Sequence, residues 1–472
     1  MLKLFKYTGP VQLISILVLI YIIRLPLFFM TPPLLLEDMY HMLVGEKLAN
    51  GFLLYRDILT STPPIPAFIY WLINLLFGKS HTAFFVFSSF FAISQVLIFR
   101  YLSNNNELFS AKSDIPTLIY AVSTIVCYDF MSLSPAMISV TFILMAFNNI
   151  FRHIKAENNE GEIFATGFYI GLAYLCFAPA FIFLLMAFMS FILFTRTVFR
   201  YYMLLLMGFC FPIITLMVFF YWNDGLSSFI NCYLFNFPQM ALFSGKFNLS
   251  IVSVIIFPSL IMVLLGISKA FTYTRFINFQ MLCNQILFAW MSITLFVIIL
   301  FFSKTVSSFY LITPFAAYYI SHYILLSKRK WISEVLFVIM FIIALQFCYS
   351  ILKIGKINQQ NLAFNNQIIW PEMDLPLLKN KRILVLGDSI ELYKQSSLAT
   401  PFLDWSLSKK VLVSMDKFSC VETTYDSFIN EKPELVIDLN NLMPKIQSRI
   451  VPIGNMYQKI GNSNMYKLVN ER

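Results

Sequence analysis

LLLEDMYHMLVGEKLANGFLLYRDILTSTPPIPAFIYWLINLLFGKS, Leu34 to Ser80, decides how the whole chain is threaded. It opens on the acidic pair Glu37-Asp38, continues as a helix-like segment, and stops at Gly51, a residue that ends helices by adopting a left-handed backbone. Tyr55, Arg56 and Asp57 follow. Pro63-Pro64 then starts an apolar, aromatic-rich run that closes at Phe77-Gly78. A bilayer crossing needs about 20 mostly apolar residues, and this run has about 16 with prolines at its head. It is read as a helix lying along the membrane interface, not a span. If it crossed, every later segment would be inverted.

Outward from this stretch the chain is built for lipid. Hydrophobic residues make up 59% of 472 and charged residues 12%, against roughly 45–50% and 25% in an average soluble domain. Apolar runs predict about eleven transmembrane helices, near 11–30, 81–101, 115–131, 134–151, 163–177, 180–196, 201–222, 249–268, 284–302, 308–326 and 331–352. The first run follows Lys3 and Lys6 as a signal peptide would, but it is too long and no small-residue cleavage site follows, so it reads as an uncleaved span.

With the N-terminus cytoplasmic, thirteen basic residues fall on the cytoplasmic side: Lys3, Lys6, Arg100, Lys112, Arg152, Lys155, Arg196, Arg200, Lys269, Arg275 and Lys328-Arg329-Lys330. Lys47, Arg56, Lys79, Lys246 and Lys304 are the five on the outer side before the tail. That asymmetry fits the positive-inside rule. It also explains the net charge of +10 as orientation signalling in short loops, with no nucleic-acid partner implied. Seven cysteines stand singly, without CxxC or Cys/His spacing, and read as packing residues.

From about Gly355 the composition turns polar and mixed, with strand-like runs Arg382–Leu386 and Leu435–Leu439. The expected organisation is therefore a membrane domain over residues 1–353, with residues 31–80 as its first outer loop, and a small extracytoplasmic α/β domain over residues 354–472. Leu386-Gly387-Asp388-Ser389 is like a hydrolase nucleophile block, but no histidine follows His322 to serve as base. It reads as a strand-to-helix turn.

The chemistry should lie in the first outer loop, where Glu37, Asp38, Glu46 and Asp57 gather. The acidic pair just beyond the first span, the downstream Gly51, Pro63-Pro64 followed by Tyr70 and Trp71, and the Phe77-Gly78 end resemble the integral-membrane glycosyltransferases of the GT-C class. In particular, they resemble the group that includes protein O-mannosyltransferases and lipid A aminoarabinose transferases. The resemblance covers roughly 50 residues; beyond them it is one of general architecture. It implies a catalytic base at Asp38 or Glu37, the order here being Glu then Asp where the family commonly has Asp then Glu. It assigns scaffold roles to Tyr40, Gly51, Tyr55, Pro63, Pro64, Tyr70, Trp71 and Gly78, and matches Asp129 to a second acidic position near the acceptor.

The expected reaction moves a sugar from a polyprenyl phosphate to a cell-envelope glycan, lipid or protein with inversion. A carboxylate takes the acceptor's proton and cationic groups hold the departing phosphate. Arg56, Lys47 and Arg24, the last inside the first span, are the candidates, with Tyr55, Asp57, Asp129 and His41 lining the substrates. Neither metal nor cofactor is expected. The expected location is a bacterial inner membrane. Two other readings remain: a transporter or flippase of a lipid-linked saccharide, and a GT-C-like scaffold without catalysis.

Overall fold

The computed structural model describes residues 2–29, 34–156, 159–194, 199–235, 249–273, 276–300, 306–350, 368–369, 378–379, 381–399, 401–461 and 463–469. Arg196, Lys246, Arg275, Lys304 and the expected boundary at 353/354 lie outside the described residues. Chain contacts divide the protein into two units. One comprises Met1–Pro33, His81–Leu216 and Phe237–Asn366, the other Leu34–Ser80, Met217–Asn236 and Gln367–Arg472. The first outer loop thus belongs with the C-terminal region.

The first unit is helical: α1 (Pro10–Phe29), α4 (His81–Asn105), α5 (Ile115–Ser123), α6 (Pro135–Ala156), α7 (Glu160–Cys176), α8 (Ile182–Phe194), most of α9 (Phe199–Trp222), α11 (Leu249–Thr272), α12 (Asn278–Leu300), α13 (Thr313–Leu326) and α14 (Lys330–Ser350). Seven helical stretches among the described residues are long and apolar enough to cross a bilayer. Two of them, Pro135–Lys155 and Val306–Leu326, are 78% and 72% buried, whereas α1, α9 and α14 are only 22–28% buried. The first pair therefore forms the centre and the other three present apolar side chains outward, as lipid-facing helices do.

The run 115–131 departs from the expected span. Only Ile115–Ser123 is α-helical, and the chain resumes as a 3-10 turn at Tyr128–Met131. Nine residues rise about 14 Å, under half the hydrocarbon thickness of about 30 Å. Every residue of α5 is buried, so its apolar character serves protein packing. An apolar run of that length cannot be told from a span by composition alone.

Tight approaches and one polar hub set the bundle. A Cβ on Gly167 or Gly208 would strike the backbone of the facing helix, so α7 and α9 meet through glycines. Gln95, fully buried, donates to the Met137 carbonyl at 2.7 Å and to Thr141 Oγ1 at 3.0 Å. Its oxygen accepts from the hydroxyls of Tyr120 at 3.1 Å and Tyr310 at 2.7 Å. It joins α4, α5, α6 and the turn preceding α13. Gln95→Leu strands two tyrosine hydroxyls at about 1–3 kcal/mol each, and the expected result is a clearly lower unfolding midpoint in detergent. An unchanged midpoint would remove the hub from this account.

In the second unit, α2 (Leu36–Ala49) and α3 (Pro64–Phe77) pack face to face, Gly45 lying so close to the Tyr70 carbonyl that a Cβ would sit 2.6 Å from it. Gly51 ends α2 at φ +90, and Gly78 ends α3 at φ +65 with its N–H on the Asn74 carbonyl. Pro64 fits the first turn of α3, where no N–H is needed. At 14 residues, α3 rises about 21 Å, too short to cross. It buries Ala67, Tyr70 and Ile73 and exposes Phe68, Leu75, Leu76 and Phe77.

The unit also holds α10 (Leu226–Phe229), the two-residue strands β1 (Leu34–Leu35) and β2 (Ile368–Ile369), and a five-stranded sheet of order β4-β3-β5-β7-β6. Its strands are β3 (Arg382–Leu386), β4 (Ser397–Leu398), β5 (Leu435–Asp438), β6 (Tyr457–Lys459) and β7 (Met465–Leu468), with β3 parallel to β4 and β5. Both expected strands form. Residues Leu412, Phe428, Ile446 and Ile453, from α15 (Trp405–Val413), α16 (Phe418–Glu431), α17 (Met443–Arg449) and α18 (Val451–Met456), pack with Leu384, Leu386 and Val436. After β3, Gly387 lies under Leu439, and a 3-10 turn at Ile390–Tyr393 follows Ser389. This is the strand-to-helix turn expected of Gly387-Asp388-Ser389, although the Ser389 side chain makes no cap hydrogen bond.

Candidate functional site

Glu37 and Asp38 occupy the first turn of α2, where unpaired backbone N–H groups favour negative charge. Asp38 is 3% exposed and Glu37 half-buried. Asp38, His41, Met42 and Gly45 repeat at helical spacing along the buried face of α2. His41 stacks on Tyr70, ring centroids 4.4 Å apart, and burial pushes its imidazole down to about 3. It is a neutral packing ring between α2 and α3. Tyr40 bonds Thr60 Oγ1 at 2.6 Å, which bonds Thr62 in turn at 2.8 Å, fixing the chain that leads into Pro63.

The connection between α2 and α3 is held by Tyr55. Its backbone sits at φ +67, a left-handed conformation that residues other than glycine rarely adopt. The ring lies against Phe220, Phe229 and Tyr233 at 5.6–6.0 Å, and the hydroxyl donates to the Thr62 carbonyl at 2.6 Å. Arg56 forks onto its neighbour Asp57 through Nε at 2.8 Å and Nη2 at 3.0 Å, while Nη1 donates to the Asn223 carbonyl at 2.8 Å. The hydrogen bonds to Asp57 hold the guanidinium above its usual range. Burial works against the Asp57 carboxylate, but bonds from Arg56 and from the Leu53 N–H hold it below its usual range.

Lys47, expected to hold a phosphate, is 4% exposed and paired with Glu431 of α16, with its ammonium 4.5 Å from the centre of the Phe52 ring. Desolvation pulls the Lys47 ammonium down and pushes the Glu431 carboxyl up. Lys79 donates to the carbonyls of Tyr393 at 2.9 Å and Ser396 at 3.0 Å. The Leu59 N–H donates to the Pro401 carbonyl at 2.8 Å and its carbonyl accepts from the Asp404 N–H at 3.0 Å, Ser61 donates to the Asp404 carboxylate at 2.7 Å, and β1 pairs with β2. The acidic helix is thus sewn to the C-terminal region at several points. Glu431, Asp404 and Lys79 have no local signal that marks them as its fasteners.

In the helical unit, Arg24 sits in α1 two residues before Pro26, which has no N–H to bond the preceding turn. The Tyr349 hydroxyl donates to the nearby Ile23 carbonyl at 2.7 Å. Arg24 is 3% exposed and its Nη1 donates to Ser88 at 2.9 Å and Ser89 at 2.8 Å. Nε and Nη2 are buried with no hydrogen-bond partner among the described residues. Asp129 lies half-buried in the 3-10 turn Tyr128–Met131 of the same unit.

No family model matches the sequence, and no curated protein matches it. Solved structures do. ArnT from Cupriavidus metallidurans bound to undecaprenyl phosphate aligns over 98% of this chain and 98% of that chain, with TM-score 0.56 and 10% identity. The apo state of the same protein aligns over 95% and 96%, with TM-score 0.55 and 10% identity. The archaeal oligosaccharyltransferase AglB from Archaeoglobus fulgidus, in complex with an inhibitory peptide and a dolichol-phosphate, aligns over 98% of this chain and 74% of that chain, with TM-score 0.51 and 11% identity. At such identity the likeness is one of fold. The chain is an integral membrane protein with the GT-C-like fold that the resemblance implied.

Proposed function

We propose that this chain, built on the fold of ArnT along nearly its whole length, is a glycosyltransferase that takes a sugar from a polyprenyl phosphate and passes it to a cell-envelope acceptor at the outer membrane face. The observation that carries the reading is the end-to-end fold match together with the carboxylate pair in the first turn of α2. In this reading the Asp38 carboxylate takes the proton from an acceptor hydroxyl or amine as its lone pair attacks the anomeric carbon. The bond from that carbon to the phosphate oxygen breaks, and its electrons leave on polyprenyl phosphate. Asp38 is preferred to Glu37 because its side chain is fixed by packing, and preorganisation is what a positioned base needs.

The leaving phosphate needs a cation. Lys47 and Arg56 are engaged by Glu431 and Asp57, whereas Arg24 keeps two nitrogens without a hydrogen-bond partner among the described residues. A charge held inside a span is costly and marks functional positions. Arg24→Met is expected to raise KM for the lipid-linked donor by about tenfold or more, the factor for one lost charge-assisted bond, with the acceptor KM unchanged. An unchanged donor KM would return Arg24 to a packing role.

The reading as a whole is tested with purified protein in nanodiscs supplied with polyprenyl-phosphate sugars and an envelope extract. Release of polyprenyl phosphate is expected, and is lost in the Glu37→Gln/Asp38→Asn double variant. Donor binding without turnover would leave a scaffold, and donor crossing between leaflets without release of the lipid phosphate would make it a flippase.

A further inference from the structure

A cleft of about 330 Å³ lies between α4, α6 and α7 of the helical unit, lined in part by Ile98, Tyr101, Met145, Asn148, Asn149 and Tyr169. The proposed transfer chemistry uses none of these residues. Its walls are mostly apolar, yet two adjacent amides sit in them, and amides in a lipid-facing bundle carry a desolvation cost unless something bonds them. Asn148 is oriented by Asn106, whose Nδ2 donates to the Asn148 oxygen at 3.0 Å. That leaves the Asn148 N–H groups as donors. Asn149 is 8% exposed, and its Nδ2 has no hydrogen-bond partner among the described residues.

The donors in the cleft are neutral, which decides the kind of acceptor. The nearest cations along α6 are Arg152 and Lys155, one and two turns on. Arg152 is paired with Glu162 at 3.2 Å and Lys155 with Glu107 at 3.5 Å. With both cations engaged, the cleft offers amide and phenol donors without net charge, a set that suits ester carbonyls better than a phosphate. The depth agrees. Asn148 lies four residues, about 6 Å, below Arg152 along the helix, inward of the charged rim at Arg152 and Lys155. A lipid's ester groups likewise lie inward of its headgroup, where the hydrocarbon begins.

We infer that this cleft is a binding site for one glycerophospholipid, its ester carbonyls on Asn148 and Asn149 and an acyl chain along Ile98 and Met145. Tyr101, half exposed at the mouth, supplies the amphipathic ring usual at a membrane interface. The site is independent of the transfer reaction.

The test uses the full chain in nanodiscs of phosphatidylethanolamine doped with a phosphatidylethanolamine carrying a diazirine next to the ester. Photolabel should concentrate on peptides bearing Tyr101, Met145 and Tyr169. Asn149→Leu should cut that labelling by about fivefold, the factor for one neutral hydrogen bond, and Met145→Trp, which fills the cleft and spares the amides, should cut it at least as far. Undecaprenyl phosphate, which has no carboxylic ester carbonyl, should fail to compete. Even labelling along lipid-facing α9, or labelling unchanged in Met145→Trp, means annular lipid only and overturns the site. Displacement by undecaprenyl phosphate overturns the ester assignment. The wild-type label map decides the matter even if a variant folds poorly.

Discussion

Asp38→Asn is expected to lower sugar transfer by about 10²–10⁴-fold, the range a positioned general base contributes, while Glu37→Gln costs less than about tenfold. The asparagine keeps the size and shape of the side chain, so the packed face of α2, formed with His41, Met42 and Gly45, is preserved and only the proton acceptor is lost. The fall should appear in kcat with donor KM unchanged, because the carboxylate acts on the acceptor's proton and not on the phosphate. Initial rates of polyprenyl phosphate release, with the unfolding midpoint measured alongside, check this. Full activity in Asp38→Asn removes it as the base, and a large loss confined to Glu37→Gln transfers the role to the neighbouring residue.

Lys47→Met should destabilise the second unit by about 3–5 kcal/mol, the usual cost of leaving one member of a buried ion pair alone. Lys47→Met/Glu431→Leu should recover most of it. In the pair, burial lowers the Lys47 ammonium and raises the Glu431 carboxyl, so each group is harder to ionise in the fold than in water. Such a pair selects a partner more than it stabilises. The sign of the pH dependence follows. A carboxyl whose folded pKa is raised takes up a proton more readily in the folded state, so stability increases as pH falls through that raised value. In Lys47→Met the defect should therefore shrink on moving from pH 8 toward pH 5. Denaturant unfolding of the three proteins at both pH values measures it. A double variant as unstable as the single, or a single variant whose defect grows on acidification, would contradict the account. Because Lys47 and Asp38 share α2, the single variant should also lose transfer activity, and the double variant should regain it.

Much of this protein is legible by eye, and the legible parts are the local ones. Gly51 and Gly78 end helices because their left-handed backbones exclude side chains. Pro64 begins one because a helix start has no use for its absent N–H. The buried strands β3 and β5 appear as short apolar runs, 383–386 and 435–437. The short length of Pro64–Phe77, 14 residues, is legible as well. The run 115–131 misleads because an apolar stretch is equally suited to lipid and to the middle of a bundle.

The choice of partners is not legible in this way. Lys47 and Glu431 are 384 residues apart, and no periodicity or spacing links them, so a lysine that reads as a free phosphate ligand is in fact spent on the tail. Arg56 is engaged by its neighbour Asp57 and the Asn223 carbonyl, and Arg24 keeps its unused donors because Ser88 and Ser89 reach only one nitrogen. A membrane-embedded bundle with an acidic helix just beyond its first span can be read from the residues alone, because length, hydropathy and capping act over a few residues. That this helix is fastened to the C-terminal sheet, and which of its charges remain for chemistry, is set by contacts across hundreds of residues, and those exist only once the chain is folded.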